Sequence, residues 1–146
     1  GIAHVASLAG LDVVLMDLNP AALEKAMGTI EKNMERQVSR GSVQAEDRDA
    51  AIARIRAVTD NDAFGDCDAV IEAATENEAI KKKIYAALCP KLRPDAILAT
   101  NTSSIPITRL GAATDRPARF VGMHFFNPVP MMKLVEVIRG LATDDA

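Results

Sequence analysis

The 146-residue sequence predicts an α/β fold with a mostly parallel sheet. Short apolar runs, such as residues 12–17 and 69–74, alternate with longer segments whose apolar residues recur at helical spacing. Strands that alternate with helices of this length are typical of βαβ units, which build parallel sheets. Polar residues follow several of the apolar runs, and ligands bind beyond the carboxyl ends of such strands. The pattern therefore predicts a binding site at this edge of the sheet.

In the first half of the chain, cap residues and apolar periodicity define the expected elements. Asn19 followed by Pro20 is a helix-start signal, because the amide side chain caps the first turn and proline suits the first helical position. Gly10 is a candidate helix C-cap. In order, we expect a helix at residues 1–10, a buried strand at 12–17, a helix at 20–40, a polar stretch at 41–49, a short helix at 50–54 and a strand at 54–59.

In the second half, helix signals again separate short apolar runs. Thr75 with Glu78 three residues later forms a capping box, and Pro90 ends the helix that follows. In order, we expect a turn at 61–66, a strand at 69–74, the helix between Thr75 and Pro90, a strand at 96–99, a polar loop at 100–104, a short helix at 105–111 and a strand at 119–123.

Composition and charge argue against several classes of function. The net charge of −3 gives no basic surface for nucleic acid or anionic lipid. No apolar run is long enough to span a bilayer. Cys67 and Cys89 have no second pair, which predicts neither a metal site nor a disulfide framework, and we expect both to be buried or inert thiols. These features favour a cytoplasmic protein with no metal, membrane or nucleic-acid partner.

The stretch 122–137 predicts a catalytic pair. An apolar run leads to His124, a turn with two prolines follows, and a second apolar run carries the single acid Glu136. A strand, a tight turn and a returning strand would place these two residues opposite each other. A carboxylate on one ring nitrogen fixes the tautomer and leaves the other nitrogen to take a proton from a substrate. Spacing alone leaves an alternative equally open, a hydrogen-bonded core histidine and a solvent-facing acid.

Asp17 ends the first predicted strand and has two interpretations. A carboxylate at this position accepts both hydroxyls of an adenosine ribose and repels a 2′-phosphate, which favours NAD over NADP. As an isolated acid, Asp17 is better explained as part of the cap of the helix that starts at Pro20. No glycine-rich phosphate loop precedes it, and only Gly1 is placed where such a loop would end.

Three stretches of sequence resemble one known family. They are IEAATENEAIKKKIY at 71–85, ATNTSSIPIT at 99–108 and GMHFFNPVPMMKLVEV at 122–137. They resemble the NAD-binding domain of the L-3-hydroxyacyl-CoA dehydrogenases, the bacterial 3-hydroxybutyryl-CoA dehydrogenases in particular, and the similarity runs through essentially the whole chain. The resemblance implies a Rossmann-type, doubly wound, mostly parallel sheet that is truncated at its N-terminus, with the first strand and glycine-rich loop absent.

The resemblance also implies a domain organisation. Residues 1–146 would be one partial NAD-binding domain. An all-helical domain, absent from the chain, would follow it, complete the substrate site and form a homodimer.

Roles for individual residues follow from the resemblance. His124 would be the general base that takes the proton from the 3-hydroxyl of an L-3-hydroxyacyl-CoA while hydride passes to NAD, and Glu136 would orient it. Ser103 and Asn127 match residues near the substrate oxygens and the nicotinamide ribose. Cofactor contacts are implied for Asp17, Glu76, Lys81, Ser103 and Asn127.

Several residues have a structural alternative or no assigned role. Lys81 belongs to a run of three lysines, and such a run usually includes a solvated helix face. His4, without a nearby acid, is expected to pack or to lie at the surface. Met131 and Met132 are expected to fill the core. The stretch 41–49, where the family contacts coenzyme A, has too few basic residues for a site to be assigned.

Two other functions stay open at this point. One is a dehydrogenase of a hydroxy acid without coenzyme A, and the other is a cofactor-fold module without activity of its own. The MKLVEV continuation at 132–137 favours the acyl-CoA enzymes. Because the first strand is the centre of a doubly wound sheet, we expect the 146-residue chain alone to bind NAD poorly and to be inactive.

Overall fold

Parallel strands alternate with helices in the computed structural model, which describes residues 1–145. The chain divides into two units, residues 1–63 with 127–133, and residues 64–126 with the segment from 134 onward. Each unit contains its own sheet and its own apolar core. The predicted α/β fold class is confirmed.

The first unit contains two parallel strands and three helices. They are α1 (Ile2–Leu8), β1 (Val13–Met16), α2 (Pro20–Ser39), α3 (Ala45–Ala53) and β2 (Ile55–Val58). Strand β1 pairs in parallel with β2, with Val13 opposite Ile55. Buried residues of α2, α3 and β2 form the core, namely Ile30, Met34, Ala51 and Ile55. The helices therefore pack their apolar faces against a two-stranded sheet.

The helix signals of this unit act as predicted at α2, whereas α3 is longer than predicted. Asn19 caps α2, since its side-chain oxygen accepts a hydrogen bond from the Ala21 amide at 3.0 Å. Helix α3 begins at Ala45 and not near residue 50. Its first turn contains Glu46 and Asp47, whose negative charges are favourable at a helix N-terminus. The predicted start of this helix at residue 50 was therefore wrong.

The second unit contains a four-stranded sheet. Its elements are β3 (Ala69–Glu72), α4 (Glu78–Leu88), β4 (Ile97–Thr100), α5 (Ile107–Gly111), β5 (Phe120–Phe125) and β6 (Val135–Arg139). The strand order is β3-β4-β5-β6; the first three are parallel and β6 is antiparallel to β5. Buried side chains of α4, α5 and three strands form one core, including an edge-to-face contact of Tyr85 with Phe120 at a centroid distance of 5.5 Å.

The two sheets match the strand orders that flank the first strand of a doubly wound sheet. In the order 3-2-1-4-5-6, β1 and β2 correspond to strands 2 and 3, and β3, β4 and β5 correspond to strands 4, 5 and 6. No strand within residues 1–145 corresponds to strand 1. The strand order within each unit is therefore that of a Rossmann-type fold, as the resemblance implied.

The cap of α4 differs from the predicted capping box. Asn77 is the N-cap, and its side-chain oxygen accepts a hydrogen bond from the Ile80 amide at 3.0 Å. The Thr75 hydroxyl instead accepts a hydrogen bond from the Asn77 amide at 3.1 Å. Thr75 thus fixes the turn before the helix, and its assignment as the cap was wrong.

Candidate active site

The β5–β6 hairpin positions the candidate catalytic pair. Strand β5 extends to Phe125, two residues beyond the prediction, so His124 lies within the strand. The antiparallel register places His124 directly opposite Glu136, and directly opposed residues have adjacent side chains on one face. The His124 Nδ1 atom lies 3.0 Å from Glu136 Oε2. The juxtaposition expected from the sequence is present, and its catalytic role stays a prediction.

The geometry of this pair selects one tautomer of the imidazole. A carboxylate oxygen only accepts hydrogen bonds, so the proton is on Nδ1 and the lone pair is on Nε2. The side chain of His124 is 21% exposed and that of Glu136 is 53% exposed. The ring of Phe126 packs beside the imidazole with a centroid distance of 4.6 Å. An oriented imidazole with a basic Nε2 is suited to general base catalysis.

Glu76 organises the loop that follows β4. Its carboxylate accepts hydrogen bonds from the Thr102 hydroxyl at 2.8 Å, the Ser104 hydroxyl at 3.2 Å and the Ser103 amide at 3.3 Å. Burial alone would raise the pKa of Glu76, but these three hydrogen bonds hold its pKa below the usual value. The structure therefore brings Glu76 and Ser103 together at the carboxyl ends of β3 and β4, with the carboxylate ionised.

Lys81 is buried, contrary to the interpretation as a solvated residue. Its side chain has 0% exposure, and its Nζ atom donates to Glu72 Oε1 at 2.7 Å and to Thr100 Oγ1 at 3.2 Å. The solvated face of the lysine run consists of Lys82 and Lys83. The implied direct contact with the cofactor stays untested.

Glu72 is the residue at this edge that the sequence did not single out. Its Oε1 atom also accepts from the Tyr85 hydroxyl at 2.9 Å and the Thr100 hydroxyl at 3.0 Å, and Oε2 accepts from the Ala74 amide at 2.9 Å. Burial would raise the pKa of Glu72, but the hydrogen bond from Lys81 and those from its other donors hold the pKa below the usual value. The sequence signal for Glu72 was a single acid in an otherwise apolar strand, followed by a lysine on the next helix.

Asp17 and Asn127 lie in the first unit. Asp17 directly follows β1, is exposed, and accepts a hydrogen bond from the Asn19 amide on Oδ1 at 2.9 Å. The carboxylate therefore supports the start of α2, while Asn19 is the cap itself. Asn127 is exposed and is joined to Pro128 by a cis peptide bond. Both side chains are at the surface.

Three residues with structural predictions have different outcomes. His4 is buried, with Nε2 2.8 Å from the side-chain oxygen of Gln37, as expected for a packing residue. Met131 and Met132 are 72% and 44% exposed, so core filling was wrong. Their amides both donate to the Pro128 carbonyl, in a tight turn that lies at the surface.

The cysteines form no disulfide within the described residues. Cys89 is buried, and burial raises the pKa of its thiol. Cys67 is only half-buried. Over residues 1–145, no helix is both long enough and apolar enough to cross a membrane.

Comparison with known proteins identifies relatives over the whole chain. A 3-hydroxybutyryl-CoA dehydrogenase of Bradyrhizobium diazoefficiens is 58% identical over 146 residues, which are 100% of this chain and 50% of that protein. A 3-hydroxyadipyl-CoA dehydrogenase of Escherichia coli is 45% identical over 143 residues, 98% of this chain and 30% of that protein. The chain spans about half the length, or less, of these curated relatives.

A solved structure has the same fold. The crystal structure of (S)-3-hydroxybutyryl-CoA dehydrogenase from Ralstonia eutropha matches with a TM-score of 0.96 at 45% identity, covering 99% of this chain and 51% of that one. The family described as 3-hydroxyacyl-CoA dehydrogenase, NAD binding domain, matches residues 1–146. The chain therefore belongs to the 3-hydroxyacyl-CoA dehydrogenase family and matches the NAD-binding domain of that family.

Proposed function

We propose that this chain is part of an NAD-dependent dehydrogenase that oxidises an L-3-hydroxyacyl-CoA to the 3-ketoacyl-CoA and catalyses the reverse reaction. The observation that carries the proposal is the His124–Glu136 pair, joined at 3.0 Å on neighbouring strands. Oxidation of a secondary alcohol needs a base for the hydroxyl proton and an acceptor for the hydride on the same carbon. The pair supplies the base.

The proton transfer follows from the tautomer of the imidazole. Nε2 takes the proton from the 3-hydroxyl as the hydride leaves C3, and the ring becomes an imidazolium. Glu136 stabilises this cation through Nδ1. In the reverse direction the imidazolium returns the proton to the oxygen of the ketone.

The residues present fit NAD. An exposed carboxylate after a parallel strand, as at Asp17, suits the two hydroxyls of an adenosine ribose and repels a 2′-phosphate. Glu76, Lys81, Ser103 and Asn127 are the residues proposed to contact the nicotinamide half of NAD. When bound, NAD supplies the hydride acceptor.

Ser103 and Asn127 are also proposed to contact the substrate. A hydroxyl and an amide donate hydrogen bonds to an oxygen that gains negative charge when the ketone is reduced. Both residues are exposed, so a ligand has access to them. Ser103 lies in the loop after β4, and Asn127 lies in the turn after β5.

The acyl group proposed is 3-hydroxybutyryl, and the support is the name of the relative at 58% identity. A relative at 45% identity is named for the longer adipyl group. We further propose that the 146 residues are a partial NAD-binding domain within a longer protein, because the relatives are about twice as long. The longer protein would add a helical domain that forms a homodimer. Two cysteines without a disulfide favour a cytoplasmic location.

The test follows NADH consumption with acetoacetyl-CoA, using the longer protein in its native form and with His124→Ala. We expect kcat to fall by about 10²-fold or more, with NADH affinity nearly unchanged, because the base acts only in the chemical step. If the native protein binds NADH yet does not reduce acetoacetyl-CoA, the substrate is a hydroxy acid without coenzyme A or the chain is a module without activity.

A further inference from the structure

Glu72 and Lys81 form a buried ion pair at the carboxyl end of the four-stranded sheet. Their side chains are 3% and 0% exposed, and Lys81 Nζ lies 2.7 Å from Glu72 Oε1. Glu72 ends β3 and Lys81 lies in α4. The pair therefore joins the helix to the end of the strand from which the polar turn at 73–77 begins.

The stability of the fold does not by itself account for this pair. Removing two charges from water is costly, and replacing a buried ion pair by apolar residues of similar volume is often neutral or stabilising. A fully satisfied polar network instead fixes one geometry among several. Tyr85, Thr100 and the Ala74 amide complete such a network around Glu72.

One branch of the network leads to the backbone beside His124. Glu72 is paired with Thr100 across the parallel ladder, and the Glu72 carbonyl accepts a hydrogen bond from the Asn101 amide at 2.8 Å. The Asn101 side-chain oxygen in turn accepts from the Phe125 amide at 2.8 Å. Phe125 directly follows His124, so the position of Asn101 sets where the imidazole is held.

A second branch leads to Glu76. The other oxygen of Glu72 accepts a hydrogen bond from the Ala74 amide at 2.9 Å, which fixes the turn after β3. That turn continues to Glu76, whose carboxylate holds Thr102 and Ser103. The Glu72 carboxylate therefore reaches the turn before Glu76 through the Ala74 amide, and it reaches the residue before Asn101 through the Thr100 hydroxyl.

We propose that the Glu72–Lys81 ion pair is a positioning device for catalysis: it holds the Asn101–Phe125 hydrogen bond and the turn that carries Glu76. This inference rests on the proposed function, because the backbone that it positions is that of the general base His124.

The experiment compares three variants of the longer protein with the native form. Lys81→Met leaves a buried carboxylate unpaired, whereas Glu72→Met with Lys81→Met removes both charges. Lys83→Met, the same change at an exposed lysine two residues away, is the matched control. For each we would measure the melting temperature, kcat for acetoacetyl-CoA reduction and the hydrogen-exchange rate of the Phe125 amide.

We expect Lys81→Met to lower both the melting temperature and kcat. The double variant should recover a melting temperature near that of the native protein, yet keep a kcat about tenfold or more below it, because small displacements of a base are costly. Its Phe125 amide should exchange faster than in the native protein. The control should match the native protein in all three measurements.

Two results would overturn the inference. In one, the double variant regains native kcat and native exchange at Phe125; in the other, it is as unstable as Lys81→Met, which would make the pair a stabilising feature. A native protein that is inactive on acetoacetyl-CoA would contradict the proposed function alone, and the exchange rate at Phe125 would still decide whether the pair positions this backbone.

Discussion

His124 Nδ1 is 3.0 Å from Glu136 Oε2, and the two residues are directly paired across β5 and β6. The hydrogen bond therefore joins neighbouring strands of one ladder, and neither residue depends on a loop for its position. The Glu136 side chain is 53% exposed, so solvent screens much of its charge. Its main effect is then to hold the ring in one orientation and one tautomer.

Glu136→Gln should lower kcat of the longer protein by about 10²-fold. The amide has a donor as well as an acceptor, so it can stabilise the wrong tautomer, and it gives no charge to support the imidazolium. NADH affinity should stay within a factor of about two. Steady-state assays with acetoacetyl-CoA and an NADH titration measure both quantities. Glu31→Gln, at an exposed acid of α2, is the control, and equal losses in both variants would contradict the prediction.

Local signals predicted much of the fold and the candidate pair. The cap at Asn19 was predictable because it involves only residues of its own helix. The short apolar runs predicted buried strands, although they do not show which strands pair. The pairing of His124 with Glu136 was also predictable, because a strand, a turn with two prolines and a second strand form a local hairpin. Such a hairpin fixes which residues are opposite.

The errors concern residues whose environment is set by distant parts of the chain. Lys81 looks solvated in sequence, yet it is buried because Glu72 and Thr100 are on strands beneath the helix. Thr75 fits a capping motif, but Asn77 is nearer the first turn of α4 and is the N-cap. Sequence periodicity carries no information about such partners.

Gly122 in β5 lies against Ile107 of α5 and Ile138 of β6. We expect Gly122→Ala to lower the free energy of unfolding by about 1–3 kcal/mol. A Cβ atom there would lie 2.7 Å from Ile107 Cδ1 and 3.2 Å from Ile138 Cβ. Gly28→Ala is the matched control, because that site in α2 has nothing within 4 Å of the added carbon. It should raise stability by about 1 kcal/mol, since alanine is the better helix former. Thermal unfolding measures both, and a stable Gly122→Ala protein would show that α5 moves aside freely.

Arg116 holds the segment before β4. Its guanidinium donates to the backbone carbonyls of Arg93, Ala96 and Cys89 at 2.6, 3.1 and 3.3 Å, and the residue is 7% exposed. Arg116→Met should lower stability by roughly 3 kcal/mol, because it removes three hydrogen bonds that a charged, buried side chain donates. Denaturant unfolding measures this loss. Arg119→Met, at an exposed arginine, should lose less than about 1 kcal/mol, and similar losses in the two variants would refute the special role of Arg116.

His4 should make the stability of the protein fall in mild acid. Burial lowers the pKa of His4, although the hydrogen bond with Gln37 opposes the shift. The unfolded histidine then binds more protons than the folded one, so stability is complete above its unfolded pKa near 6.5 and is lost as pH falls through the lower folded pKa.

His4→Phe removes this proton-binding site and keeps a buried ring of similar size. We would compare melting temperatures of the native protein and the variant between about pH 7.5 and 5.5, the window around the unfolded pKa of histidine. Contributions from other groups cancel in the difference between the two proteins, so the drop on acidification should be smaller in His4→Phe. Parallel pH profiles would mean that His4 is protonated at no cost in the folded state, against its burial without a partner for Nδ1.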